Sequence, residues 1–191
     1  KLGESAFYAC TSLSSIEIPA ALWTIQPYTF KNCTGLTELV LNEGNLQKIA
    51  DGAFYNTALT AVELPDCLSI LDSYVFKNCS QLAEVKLSAS LTQIREASLY
   101  GTAISHIEIP EGVTSIKPYA FKNCVNLVSV ELPETLTIVD EAAFYACEEL
   151  EELDLPDAVT TIGDYAFRKC TRLTDVQFGS GLVTIGESSF Y

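Results

Sequence analysis

Ile162-Gly-Asp-Tyr-Ala-Phe167-Arg-Lys-Cys170-Thr-Arg-Leu173-Thr-Asp-Val176-Gln-Phe178 is a segment that the rest of the chain rewrites about eight times. Its phenylalanine recurs at Phe7, Phe30, Phe54, Phe76, Phe121, Phe144 and Phe190, with Leu99 standing in once. Successive members are 22 to 24 residues apart. A fixed period of this length is the signature of a solenoid, in which each unit contacts only its neighbours.

Within each unit an L-x-x-I-x-I pattern follows the phenylalanine, as in Leu13/Ile16/Ile18, Leu82/Val85/Leu87 and Leu150/Leu153/Leu155. The last three positions alternate inward and outward, the period of a half-buried strand. One short strand per unit, always running the same way, predicts a continuous parallel sheet roughly 40 Å long at about 4.8 Å per strand. Proline then ends the strand at Pro19, Pro65, Pro110, Pro133 and Pro156, because it cannot donate to the ladder. A second apolar pair follows, such as Leu22/Ile25 or Val159/Ile162. Three residues before the phenylalanine stand Glu4, Pro27, Asp51, Ser73, Glu96, Pro118, Glu141, Asp164 and Glu187. Each suits the first turn of a helix, which predicts a short helical turn on the back of every unit. The expected fold is an α/β solenoid, a parallel concave sheet backed by convex helical turns.

The string L-x-x-I-x-I-P-x-x-V-x-x-I-G-x-x-A-F-x-x-C resembles the 23-residue leucine-rich repeat of BspA-type bacterial surface proteins. The resemblance covers essentially all of residues 1–191 and implies one right-handed leucine-rich repeat domain of about eight repeats. Opening and closing in the same phase, at Phe7 and Phe190, suggests a piece of a longer chain without its caps. The family implies cell-surface or secreted modules that adhere to host or microbial proteins. It implies no catalytic residues and no cofactor.

Composition narrows the partners. Twenty-five acids against eleven bases give a formal charge of −14, which disfavours nucleic acid and anionic lipid as ligands. No apolar run is long enough to insert in a membrane. Oligomeric state is not legible. Six of the seven cysteines (Cys10, Cys33, Cys79, Cys124, Cys147, Cys170) fall in one column, without the close pairs that zinc requires. They read as small core fillers, with Thr57 and Thr102 filling the same slot in the two short repeats. Cys67 lies outside the column and is the one candidate reactive thiol. The sequons at Asn32 and Asn78 fall inside the repeated Lys-Asn-Cys element and read as coincidence.

His106 is the single histidine, placed in register between Glu84 and Ser129 on the outward face of the strands. A serine, a histidine and a carboxylate share that face, but an open sheet supplies no oxyanion donors and no exclusion of water. The chain therefore reads as no enzyme, and no metal site is expected. Outward strand positions form a surface rich in acids. The candidate partner-binding residues are Glu84, His106, Glu108, Glu131, Glu152, Asp154, Asp175 and Gln177, for a basic or host matrix protein or for weak calcium capture. The alternative is a rigid spacer whose binding is carried by flanking domains.

All nine tyrosines occupy two columns flanking the phenylalanine, and these alternate. Where Tyr28, Tyr74, Tyr119 or Tyr165 precedes it, a cation follows it; where a small residue precedes, tyrosine follows. The unit is thus a pair of repeats. Offset packing of the rings explains this, with each cation placed over a neighbouring ring; an aromatic binding stripe is the sharper alternative.

Overall fold

The computed structural model describes residues 2–191. The chain winds as a right-handed, all-parallel β-solenoid of about seven turns. Sixteen strands are present, two to a coil. The long strands β1 (Ser15–Ile18), β3 (Glu38–Leu41), β5 (Ala61–Glu63), β7 (Glu84–Lys86), β9 (His106–Glu108), β11 (Ser129–Glu131), β13 (Glu152–Asp154) and β15 (Asp175–Gln177) carry the alternating pattern. The two-residue strands β2 (Thr24–Ile25), β4 (Lys48–Ile49), β6 (Ile70–Leu71), β8 (Gln93–Ile94), β10 (Ser115–Ile116), β12 (Ile138–Val139), β14 (Thr161–Ile162) and β16 (Thr184–Ile185) form a second face. The sequence supplied their apolar pair, but two residues are too few for alternation to show.

The expected sheet is not continuous. Long strands bond in pairs, β1–β3, β5–β7, β9–β11 and β13–β15, in step with the two-repeat unit. Short strands form one three-stranded sheet, β2–β4–β6, and one five-stranded sheet, β8 to β16.

The helical turns of the expected α/β fold are overturned: the described residues contain no helix. Around each phenylalanine the chain instead makes successive turns. Ala6 N–H bonds to Gly3 O, Tyr8 to Ser5 and Cys10 to Phe7, while Ser5, Phe7 and Ala9 donate to Pro27, Thr29 and Lys31 of the next coil. Half the donors close turns and half climb to the next coil, so none is left for an i−4 ladder. Two positions per coil, two before and two after the phenylalanine, take positive φ; Tyr28 (φ 55) and Asn32 (φ 63) are one such pair. A left-handed residue at the third position of a turn marks type II, where proline is favoured at the second. Pro27 and Pro118 occupy that second position. Proline and acids there mimic the start of a helix, which is why the sequence pattern misleads.

Inside the coil Phe7, Phe30, Phe54 and Phe76 stack at centroid separations of 5.2, 5.2 and 5.7 Å, and Phe121, Phe144, Phe167 and Phe190 at 5.0, 5.2 and 5.3 Å. Leu99, fully buried, separates the two stacks. Beside them the thiols form their own ladder. Cys33 Sγ–H reaches Phe7 O at 3.0 Å, Cys79 reaches Phe54 O at 3.1 Å and Cys124 reaches Leu99 O at 3.2 Å. Thr57 and Thr102 fill the same slot, 3.2 and 3.3 Å from the sulfurs of Cys79 and Cys124. All seven cysteines are free.

On the turn face each cation sits between two rings. Lys31 Nζ lies 5.0 Å from the Tyr28 centroid and 4.8 Å from Tyr55, and Lys122 lies 5.2 Å from Tyr119 and 4.6 Å from Tyr145. Lys77 and Arg168 repeat the arrangement with Tyr74/Tyr100 and Tyr165/Tyr191. The small residue of the alternation is where the preceding ring lies: a Cβ on Gly52 would stand 2.9 Å from the Tyr28 ring. Packing therefore accounts for the alternation.

Candidate functional site

The eight residues singled out from sequence, Glu84, His106, Glu108, Glu131, Glu152, Asp154, Asp175 and Gln177, all lie exposed on the long-strand face. Alternation within β7 to β15 turns them outward while Val85, Ile107, Val130, Leu153 and Val176 face the core. Register brings several together. Glu108 stands opposite Glu131, Glu152 opposite Asp175, and Asp154 opposite Gln177. Facing like charges cost a few tenths of a kcal/mol each on the scale of cross-strand pairs. The structure retains them at two adjacent strand pairs.

His106 is not isolated. Its Nδ1 lies 2.8 Å from Ser129 Oγ and its Nε2 3.5 Å from Glu131 Oε1. All three side chains are exposed, so the group orders the surface without a pocket that excludes water. Among the described residues no cluster of three or more potential metal ligands occurs. Calcium capture thus gains no geometry.

At the other end of this face sequence reasoning named Glu84 and His106 but missed the depression they border. The depression, of about 830 Å³, lies over β3, β5, β7 and β9. Its floor is Thr60, Ala61, Ala83 and Ser105, and Glu38, Glu63, Glu84, Lys86 and His106 stand around it. Small side chains in successive outward positions were the available signal; attention to acids alone passed over them.

The cations are spoken for. Each of the ten lysines and arginines among the described residues meets an acid or a tyrosine ring. Lys86 pairs with Glu63, Lys117 with Asp140 at 3.4 Å, and Arg172 with Glu149 and Glu151 at 2.7 and 2.8 Å. Among the described residues, six of the twenty-five carboxylates meet a charged or chargeable nitrogen in return. Strand-face acids such as Glu38, Glu84, Glu152 and Asp175 present uncompensated charge.

A parallel solenoid with one acidic strand face and a tightly packed turn face is a scaffold for recognition. The chain belongs to the BspA-type leucine-rich repeat family, whose model matches six copies over residues 1–124 and 92–191. This scaffold is non-catalytic and of the protein-binding kind. A leucine-rich cell surface protein of Faecalibacterium prausnitzii A2-165 is 27% identical, with a TM-score of 0.69 over 98% of this chain and 60% of its own. The leucine-rich repeat protein TpLRR of T. pallidum is 26% identical, with a TM-score of 0.61 over 90% of this chain and 70% of its own. The pneumococcal vaccine antigen PcpA, 22% identical over 94% of this chain and 56% of its own with a TM-score of 0.57, shares the fold. The chain thus spans about 60% of the length of the Faecalibacterium protein. A search of curated proteins finds no match.

Proposed function

We propose that the chain is a recognition module of a cell-surface or secreted protein, binding a basic protein partner through its acidic long-strand face. The observation that carries this is the charge pairing: the ten described bases are engaged internally, while strand-face acids such as Glu152 and Asp175 remain open to solvent. Such a surface steers a cationic partner and repels an anionic one, with a strength that falls as salt screens it. The relative from Faecalibacterium, a cell surface protein by name, supports the location.

The test reverses Glu131, Glu152, Asp154 and Asp175 to lysine and measures binding to cells or to matrix protein at two salt concentrations. Binding is expected to fall and to lose its salt dependence. Unchanged binding by a variant with an intact circular dichroism spectrum would sink this reading and favour a spacer.

A further inference from the structure

We infer that the depression over β3, β5, β7 and β9 is a docking groove for one kind of segment. That segment is an extended, polyproline-like stretch of a basic protein carrying two cationic side chains three residues apart. The inference rests on the acidic-face reading and names its partner more closely.

The floor comes first. The outward positions just before successive long strands are Thr37, Thr60, Ala83 and Ser105, none longer than threonine, and Ala61 adds a small residue at the start of β5. Farther along the same face the equivalents of Ser105 are Val128, Glu151 and Thr174, and those of Ala61 are Ser129, Glu152 and Asp175. The unbroken run of small residues before the strands of the first half therefore lets another backbone approach the sheet, and Val128 and Glu151 hold it off in the second. All the floor residues are exposed.

The walls come next. Ala61 stands opposite Glu84 in the β5–β7 register, and Glu38 holds the same outward position one coil earlier. Alanine between two glutamates leaves a notch with a carboxylate on either side. Two coil steps separate those carboxylates, about 9.6 Å at the usual spacing between strands. Neither Glu38 nor Glu84 meets a cation among the described residues.

Charge and repeat length then choose the occupant. A polyproline helix rises about 3.1 Å per residue with three residues to the turn, so side chains at i and i+3 project from one side about 9.3 Å apart. A β-strand sends i and i+3 to opposite faces. Two lysines or arginines at i and i+3 of a polyproline segment, running along the solenoid axis, thus meet Glu38 and Glu84 together. Lys86, on the same strand as Glu84 and paired with Glu63, borders the groove, and His106 one coil further on closes its far end.

A fluorescein-labelled proline-rich peptide with lysines three apart serves as the probe, beside versions with lysines two and four apart and one with glutamates. Anisotropy is read at about 20 mM salt, where surface charge is least screened. The three-apart peptide should bind about fivefold more tightly than the other lysine spacings, and the glutamate peptide should not bind. Ala61→Lys, an exposed substitution that fills the notch with a base, should weaken binding about tenfold, and so should Glu38→Gln with Glu84→Gln. Reversing Glu152 and Asp175 should change it less than about twofold. Equal binding of all lysine spacings, or loss only in the Glu152 and Asp175 variant, overturns the groove while leaving the acidic face standing. Absence of saturable, salt-sensitive binding by every lysine peptide overturns both.

Discussion

Cys124 shows how one residue serves the coil. Its thiol donates to a carbonyl of the preceding coil and packs beside the phenylalanine column, so a small, weakly polar group fits where a larger one would not. Burial pushes the thiols of Cys79 and Cys124 up to about 11 and that of Cys170 up to about 12. In the unfolded chain these thiols ionise near their ordinary value of 9.0. The folded state therefore holds more protons above that pH, and stability is full below it and declines as pH rises toward 11. Each of Cys79 and Cys124 contributes a loss of about 2–3 kcal/mol over that window. Urea unfolding at pH 7, 9 and 10.5 should show the decline, and Cys79→Thr with Cys124→Thr should lessen it without abolishing it, since threonine already occupies this slot at positions 57 and 102 while Cys147 and Cys170 remain. A double variant as alkali-sensitive as the parent would remove the thiols from the account. In native protein at pH 8 a thiol reagent should reach exposed Cys10 first; after unfolding it should count seven.

The element that matters most is the turn segment, because it carries the strain and its remedy together. A bulky residue in the left-handed region costs about 1–2 kcal/mol, and Tyr28, Tyr74, Tyr119 and Tyr165 all sit there. Each N–H at these positions climbs to the next coil, and each ring closes on a cation shared with a tyrosine of that coil. Two cation–π contacts at about 0.5–1 kcal/mol apiece are of the size needed to offset one such residue. Lys122→Ala should then lower stability by about 1–2 kcal/mol, whereas Lys122→Arg should be nearly neutral, as Arg168 holds the equivalent place. Denaturant midpoints decide it; equal damage from both would mean the stem, not the charge, is what the rings require. This same segment marks the limit of what the sequence shows. Phenylalanine spacing, strand alternation, the thiol column and the tyrosine–cation alternation were all legible, because each follows from side-chain type at a fixed period. Turn and helix were not separable: Pro27, Pro118 and the acids at the equivalent positions satisfy the second place of a type II turn as well as the first turn of a helix. Gly52, Gly101 and the asparagines, two residues to either side of the phenylalanine column, were the hints of positive φ, while tyrosine is a residue that seldom advertises it. In the candidate site, outward acids were legible by alternation, while the depression was not, because it arises from residues that are small.

At the scale of the whole molecule the coils are not uniformly joined. Between Ile70–Leu71 and Gln93–Ile94 the short-strand ladder is interrupted, and between Glu84–Lys86 and His106–Glu108 the long-strand ladder is interrupted too. Leu99 breaks the phenylalanine stack in the same region. The turn ladder continues across, through Tyr74, Phe76 and Asn78 to Glu96, Ser98 and Tyr100, followed by one bond from Ala103 N–H to Leu82 O. One ion network also bridges the interruption: the half-exposed Lys48 and Arg95 reach the buried Asp72 from either side, at 2.6 and 3.3 Å. In a repeat array, stability is a sum of unit and neighbour terms, so the weakest neighbour term sets where the array parts. We expect two blocks, residues up to about Lys86 and from about Gln93 onward, that lose amide protection separately under mild denaturant. Asp72→Asn weakens both ion pairs around a buried carboxylate and should cost about 3 kcal/mol, on the scale of breaking such a pair, while widening the gap between the two blocks. Hydrogen exchange with peptide resolution reads this directly. Uniform protection along the whole array, unchanged in Asp72→Asn, would show that the turn ladder and the core carry the coupling without the network. A separation at the interruption would place the depression of the acidic face, which spans β7 and β9, across the most deformable junction of the solenoid, where a bound segment would couple the two blocks by touching both.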